Sequence, residues 1–219
     1  MKYYNIHTHS PQNAANTIEI FAAFSDFENL PKAQHYSVGF HPRFLENNAT
    51  DETFELLTQL AKKQSIVAIG ECGLDKQANS DFDLQMYWFE KHIQLANDVR
   101  KPLILHTVGA YEETFQLLKS NDVSVPVVFH GFNKSKELCE RILDFGYYIS
   151  LGKVLLLKEK WPVFQDLPLD RFVFETDASE LKIEQVYAMG VEMFQMEHRE
   201  IMKIVAQNVN RIFNLTIKE

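Results

Sequence analysis

Two histidines one residue apart near the N-terminus, His7 and His9 in the stretch NIHTHS, are the first side chains that could do metal chemistry. A neutral imidazole gives a divalent cation one nitrogen. In an extended segment, residues two apart point to the same side, roughly 6.5–7 Å apart along the strand. His7 and His9 can therefore converge on one ion at distances of about 2.0–2.1 Å. Alone, the pair is equally a polar cap on a strand. Four further candidates lie downstream: Glu71 in AIGECGLD, His106 in PLILH, His130 in VPVVFH and Asp177 in FVFETDA. A carboxylate such as Glu71 carries two oxygens and can bridge two cations, and His106 with His130 can complete a second. Mixed nitrogen and oxygen ligation suits Zn, Mn or Fe better than Mg, which favours oxygen and water.

The elements that must position these groups read as an alternation. Short apolar or β-branched runs fall at Tyr3–Ile6, Ile18–Ala23, Tyr36–Phe40, Ile66–Ile69, Leu103–Leu105, Pro126–Phe129, Tyr147–Ser150 and Phe172–Phe174. They alternate polar and apolar poorly, as parallel strands buried on both faces do. Between them, helical stripes run over Asp51–Lys63, Gln85–Arg100, Tyr111–Lys119, Lys134–Asp144, Ile183–Phe194 and Glu197–Phe213. Eight strands alternating with helices predict an α/β fold of the (β/α)8 TIM-type barrel class. At 219 residues the chain is short for it, since roughly 250 is typical. Ser10–Thr17 is too short for a crossover helix, so the first βα unit is expected as a loop. An open doubly wound sheet fits less well, because no glycine-rich phosphate turn follows the first strand.

On that scaffold His7, His9, Glu71, His106, His130 and Asp177 all come at or just after the C-terminal ends of strands, the end where barrel enzymes place their sites. His41, in VGFHPRF, follows a strand on the same face and is a candidate substrate contact. Arg43, Lys76, Lys134, Lys136 and Lys153 fall in loops on that face and could attract phosphate, Arg43 and Lys134 foremost. Asp75 reads equally as a turn residue or as a partner orienting a ligand. Cys72, beside Glu71, is expected to point away into packing. His35 precedes its strand and reads as structural, while His92 and His198 read as helix-surface or interface residues.

Composition narrows the classes. A net charge of −8, from 22 basic and 30 acidic residues, argues against a general nucleic-acid coat. It leaves room for an enzyme meeting phosphate at one metal-bearing mouth. No apolar run reaches the roughly 18 residues of a spanning helix, and the start MKYYNIHTHS lacks an apolar leader core. The two cysteines form no disulfide framework, so free thiols in a cytoplasmic setting are expected. No linker or repeat interrupts the chain, which predicts a single domain over residues 1–219. The oligomeric state is left open, a monomer included.

In order along nearly the whole chain, IHTH, VGFHP, IGECGLD, QMYWFEKHIQLANDVRKPLILH, FHGFNKS, YYISLG, FVFETDA and NVNRIF resemble the sequence blocks of the TatD family of metal-dependent hydrolases. The resemblance implies two divalent ions, drawn from Zn, Mn, Fe and Mg. His7, His9 and Asp177 would hold the first and His106 and His130 the second, with Glu71 bridging. It implies metal-dependent phosphodiester hydrolysis, as a DNase or exonuclease acting on nucleic-acid ends or a small phosphodiester. Asp177 and Glu71 would be catalytic. Departures lie at Asn5, where an Asp commonly precedes the first His; at HTVGA, which lacks an Arg-Asp after His106; and at ETDASEL, which replaces a Ser-Pro and opens a shorter loop. The rival expectations are an amide, ester or lactone hydrolase on the same barrel, a PHP-type phosphoesterase, and a non-enzymatic partner protein on a degenerate site.

Overall fold

In the computed structural model, which describes residues 1–215, the apolar runs form eight strands. They are β1 (Tyr3–Thr8), β2 (Thr17–Ala23), β3 (His35–Val38), β4 (Ile66–Asp75), β5 (Leu103–Val108), β6 (Val127–Phe129), β7 (Tyr148–Leu151) and β8 (Phe172–Phe174). One sheet carries them in chain order. With them alternate α1 (Leu45–Asn48), α2 (Asp51–Leu60), α3 (Phe82–Val99), α4 (Tyr111–Ser120), α5 (Lys136–Asp144), α6 (Trp161–Phe164), α7 (Ile183–Phe194) and α8 (His198–Phe213). The class is the (β/α)8 barrel. The expected loop stands between β1 and β2, and residues 24–34 between β2 and β3 are also turns and bends without a helix. Beyond β7, two 3₁₀ turns and the four-residue α6 replace a full helix. These three reductions account for the short chain. Among the described residues no helix is long and apolar enough to cross a membrane.

The chain divides into two compact units, one of Met1–Phe21 with the chain from Val128 onward, the other of Ala22–Val127. In the first, α7 and α8 cover β1 and β8. The buried Tyr187 hydroxyl accepts the Tyr4 N–H at 3.0 Å. Gly190 lets α7 close on β8, since a Cβ there would stand 2.4 Å from Cζ of Phe174. From α8, the Asn208 amide donates to the carbonyls of Leu169 and Phe172 at 2.8 Å each, holding the entry to β8.

In the second unit, α3 starts one turn earlier than its apolar stripe suggests, because Asp81 accepts the Leu84 N–H at 2.9 Å as an N-cap. His92 on this helix is wholly buried, not at the surface as its sequence position suggested. Its Nε2 accepts the Phe40 N–H at 2.9 Å, and its Nδ1 donates to the Trp88 carbonyl at 2.6 Å. Those partners fix one neutral tautomer, and burial lowers the pKa to about 4. Gln85, also on α3, accepts the Asp75 N–H at 2.8 Å and donates to the carbonyls of Asp75 and Ser80 at 3.1 Å each. The turn after β4 is thereby tied to the helix.

Strand β4 runs six residues beyond its apolar core and is buried throughout. Between Ile69, paired with Leu103, and Cys72, paired with Leu105, it carries one residue more than β5 does, a bulge at Gly70–Glu71. Only glycine fits at 70: φ is +143°, and a Cβ would meet the Ile104 carbonyl oxygen at 2.3 Å. The bulge lets β4 pair on to Asp75 opposite Val108. Glu71 therefore lies inside its strand, as His106 lies inside β5 and His7 inside β1, rather than just after the strands as the apolar runs suggested.

Candidate functional site

Each unit gathers its own group of ligand-type side chains. In the first unit the backbone does the gathering. The end of β1 zips onto the turn after β8, with the Asp177 N–H donating to the His7 carbonyl at 2.9 Å and the His9 N–H donating to the Asp177 carbonyl at 3.2 Å. Asp177 takes a left-handed φ of 53°, which a short polar side chain tolerates. Its Oδ1 then lies 3.5 Å from His7 Nε2 and 3.4 Å from His9 Nε2. His130, directly after β6, brings its ring to 4.3 Å from that of His7. His7, His130 and Asp177 offer ligand atoms all within 4.8 Å of one another. His7 is wholly buried, whereas the Asp177 side chain is 43 % exposed.

The donor set fits a cation. Two ligands bound at 2.1 Å in a tetrahedral shell stand about 3.4 Å apart, the separation at which His7 and His9 hold the Asp177 oxygen. Burial pushes the Asp177 carboxyl up, but the hydrogen bonds of His7 and His9, with the charges of His7 and His130, outweigh it. They hold the group well below the usual carboxylate range. Behind His130 stands Glu175, 1 % exposed, with Oε1 3.5 Å from His130 Nδ1. Its other oxygen accepts the Ser150 hydroxyl. A carboxylate behind one ring nitrogen fixes which nitrogen faces forward. Sequence reading missed both Glu175 and Ser150. The available signal was an acidic residue directly ending an apolar strand, FVFE, where a buried charge needs a partner.

The second unit holds His41, Glu71 and His106, again with ligand atoms within 4.8 Å. His106 Nδ1 is 2.8 Å and His41 Nε2 3.1 Å from Glu71 Oε1. His106 turns its Nε2 to Asp75 Oδ2 at 3.1 Å. Asp75 is fully buried, and the same oxygen accepts Nε–H of Arg43 at 2.6 Å. Asp75 fills both readings open for it: Oδ2 faces His106, and Oδ1 accepts the Gln77 N–H at 2.8 Å in the turn after β4. Burial raises its pKa, while Arg43, the Gln77 N–H and His106 lower it further, so it stays anionic. Each ring nitrogen of His106 thus faces a carboxylate oxygen, which only accepts, and a cation shared with Glu71 would take the place of one of the two N–H donors. Separations near 3.0 Å match the edge of an octahedral shell of about 2.1 Å bonds.

His41 touches this group as a donor: its Nδ1 accepts the Arg43 N–H at 3.0 Å, so in the neutral ring Nε2–H faces Glu71 Oε1. Among the loop cations, Arg43 is anchored on Asp75, Lys76 pairs with Glu113 at 2.5 Å and Lys136 with Asp166 at 3.4 Å. Lys134 follows β6, half-buried, and Lys153 is exposed after β7. Cys72 is wholly buried, and burial with the Glu71 charge pushes its thiol up, so it packs as an inert side chain. His35 opens β3 at the strand's N-terminal end. His198 pairs with the Tyr3 hydroxyl at 3.1 Å.

Asn5 has a local reason. It is buried, its Oδ1 accepts the Thr176 N–H at 3.0 Å, and its Nδ2 donates to Thr176 Oγ1 at 2.8 Å and Glu19 Oε1 at 3.4 Å. Only an amide both donates and accepts here. A carboxylate would face that of Glu19.

The model of the TatD-related DNase family matches residues 10–214. An uncharacterized metal-dependent hydrolase of Buchnera aphidicola subsp. Acyrthosiphon pisum is 31 % identical over 179 residues, covering 74 % of this chain and 68 % of that protein. Another from Buchnera aphidicola subsp. Baizongia pistaciae is 29 % identical over 169 residues, and the match spans 75 % of this chain and 63 % of the relative. Among solved structures, the TatD homologue YjjV of Escherichia coli K12 superposes with a TM-score of 0.85 at 24 % identity, covering 98 % of both chains.

Proposed function

Because the chain belongs to the TatD-related DNase family, whose members matched here carry the name metal-dependent hydrolase, we propose that it hydrolyses phosphodiesters, at nucleic-acid ends or in small substrates. The observation that carries this is the paired design of its two ligand groups. In each, imidazole and carboxylate lie at ligand spacing, with a buried carboxylate behind one histidine. In the assignment that the family resemblance implies, His7, His9 and Asp177 would hold one divalent ion and His106 and His130 a second, with Glu71 shared, whereas the side chains as placed group His130 with His7 and Asp177. Bound divalent ions acidify water at neutral pH and offset charge on phosphoryl oxygens.

The chain's own residues do the rest. Asp75 orients His106 through a hydrogen bond, and the Glu175 carboxylate stands 3.5 Å behind His130. Asp177 stays an anion, which favours ligation, and its side chain is partly exposed at the mouth of the site. Arg43, fixed on Asp75 and about half exposed, and Lys134 are the candidate phosphate contacts. Departures after His106 and after Asp177 alter the substrate wall, and they favour the second reading, an amide, ester or lactone hydrolase using the same donors.

The test is to purify the protein with its metals quantified and compare single-stranded DNA, a phosphomonoester, a dipeptide and a lactone as substrates. We expect DNA cleavage that requires a divalent ion and disappears on chelation and in Glu71→Ala. Turnover of the lactone or dipeptide alone would replace the phosphodiester reading with the second one. Activity indifferent to chelation and to Glu71→Ala would remove both.

A further inference from the structure

In the first unit, a buried side chain outside the ligand group grips the segment that carries Asp177. Strand β8 ends at Phe174, and Glu175, Thr176 and Asp177 continue past it. Thr176 thus stands between the carboxylate behind His130 and the one that faces His7 and His9. Each of its polar groups is engaged. Its N–H donates to Asn5 Oδ1 at 3.0 Å, and its Oγ1 accepts from Asn5 Nδ2 at 2.8 Å. Its carbonyl accepts the Ser179 N–H at 3.0 Å and the Ser179 hydroxyl at 2.6 Å. A backbone N–H only donates, so it fixes the oxygen end of the Asn5 amide and leaves Nδ2 the donor. That donor also reaches Glu19 Oε1 at 3.4 Å. Asn5 and Glu19 are register partners on β1 and β2. Both are buried, and the second Glu19 oxygen accepts the Asn13 N–H at 2.7 Å.

We propose that Asn5 is a positioning residue for Asp177, and that it works as the neutral half of a pair whose single carboxylate is Glu19. The proposal rests on the reading of His7, His9 and Asp177 as cation ligands and is independent of the substrate. Asp177 reaches the two histidines from a left-handed backbone, φ 53°. Such a conformation persists where the surrounding structure over-determines it. On one flank the two-point grip of Asn5 on Thr176 does this. A carboxylate at position 5 has nearly the same shape and still accepts the Thr176 N–H, but it has nothing to donate. It would also set a second buried charge against Glu19, and two carboxylates at hydrogen-bond distance do not both ionise without cost. Exchanging the two groups avoids that conflict. With the carboxylate at position 5 and an amide at position 19, the amide donates across the ladder, its oxygen accepts the Asn13 N–H, and the Thr176 hydroxyl turns to donate. The site therefore requires one carboxylate and one amide across the two positions, and their order is secondary.

The test reads metal affinity in the full chain, by competition of Zn or Mn against a chelator, with the apo unfolding midpoint measured beside it. Asn5→Asp is expected to weaken affinity by about tenfold or more. The exchanged pair, Asn5→Asp with Glu19→Gln, should bind within about threefold of the parent. Thr176→Val removes only the hydroxyl end of the grip and should also weaken binding, whereas Thr176→Ser should retain it. These two variants carry the test if Asn5→Asp does not fold. In an Asp177→Ala background, Asn5→Asp should cost no further affinity, because a residue that acts through Asp177 has nothing left to position. Affinity untouched by both Asn5→Asp and Thr176→Val would overturn the proposal. So would a loss that the exchange does not repair, or one of the same size with and without Asp177, which would mark a general packing defect. Each of those results leaves the metal reading standing. A parent chain that binds neither Zn nor Mn would remove the metal reading and this proposal with it.

Discussion

Six ligand-type residues were readable in the sequence because chemistry at a strand end is a local property: His7, His9, Glu71, His106, His130 and Asp177 each stand near the end of an apolar run. Their supports were not. Glu175 and Asp75 work only through side chains far away in sequence, Ser150 and His130 for one and Arg43 and His106 for the other. Such outer carboxylates typically matter 10–100-fold for metal affinity. Glu175→Gln keeps an acceptor for the Ser150 hydroxyl while removing the charge behind His130. It is expected to lower divalent-metal affinity by about tenfold or more with the unfolding midpoint of the apo protein little changed. Competition titration against a chelator reads this directly, and equal affinity in variant and parent would show that Glu175 does not tune His130. Asn5 carries the opposite lesson: a departure from the family pattern proves to be a hydrogen-bond requirement between Thr176 and Glu19.

At the scale of elements, the bulge in β4 converts a stretch that looks like a turn, GECGLD, into strand. Gly70→Ala would drive a Cβ into the Ile104 carbonyl in a backbone region that side chains avoid. We expect a loss of roughly 2–4 kcal/mol in urea unfolding; a variant as stable as the parent would mean that the bulge can relax. Helix α3 supplies a pH prediction. His92 has a folded pKa of about 4 against about 6.5 in the unfolded chain. The unfolded chain therefore takes up the proton first. Stability is whole above pH 6.5 or so and falls as the pH is lowered through about 4, by an amount on the order of 3 kcal/mol. Protonation would also set an N–H against the Phe40 N–H. His35, shifted downward by burial, adds to the same trend. Urea melts of the chelated protein at pH 4.5 and 7.5 should differ markedly less in His92→Gln than in the parent. Parallel pH dependence in the two would assign the effect elsewhere.

At the scale of the molecule, the ligand groups belong to the folded state alone, since His7 and Asp177, or Glu71 and His106, meet only through strand pairing. A metal that binds the native chain stabilises it by mass action. At one hundred times its dissociation constant, a divalent ion should raise the thermal midpoint by about 5–10 °C. Glu71→Ala and Asp177→Ala should each blunt that rise. Coincident melting curves with and without Zn or Mn would argue that the groups hold no ion. With a net charge of −8 the chain as a whole repels polyanions, so any attraction for them must come from local cations such as Arg43.

What the sequence by itself determined is the alternation of buried parallel strands with helices, the reduced first unit and a set of candidate ligand residues, for these follow from local composition and spacing. His7 and His9, two residues apart, needed no fold to suggest a shared ion. Tertiary structure alone decided that Glu71 lies within a bulged strand, that Asp75 hydrogen-bonds His106 while Glu175 stands behind His130, and that His92 is a core acceptor. The physical reason is that hydrogen-bond partners and register depend on which strand lies alongside, and periodicity reports only which face of an element is apolar.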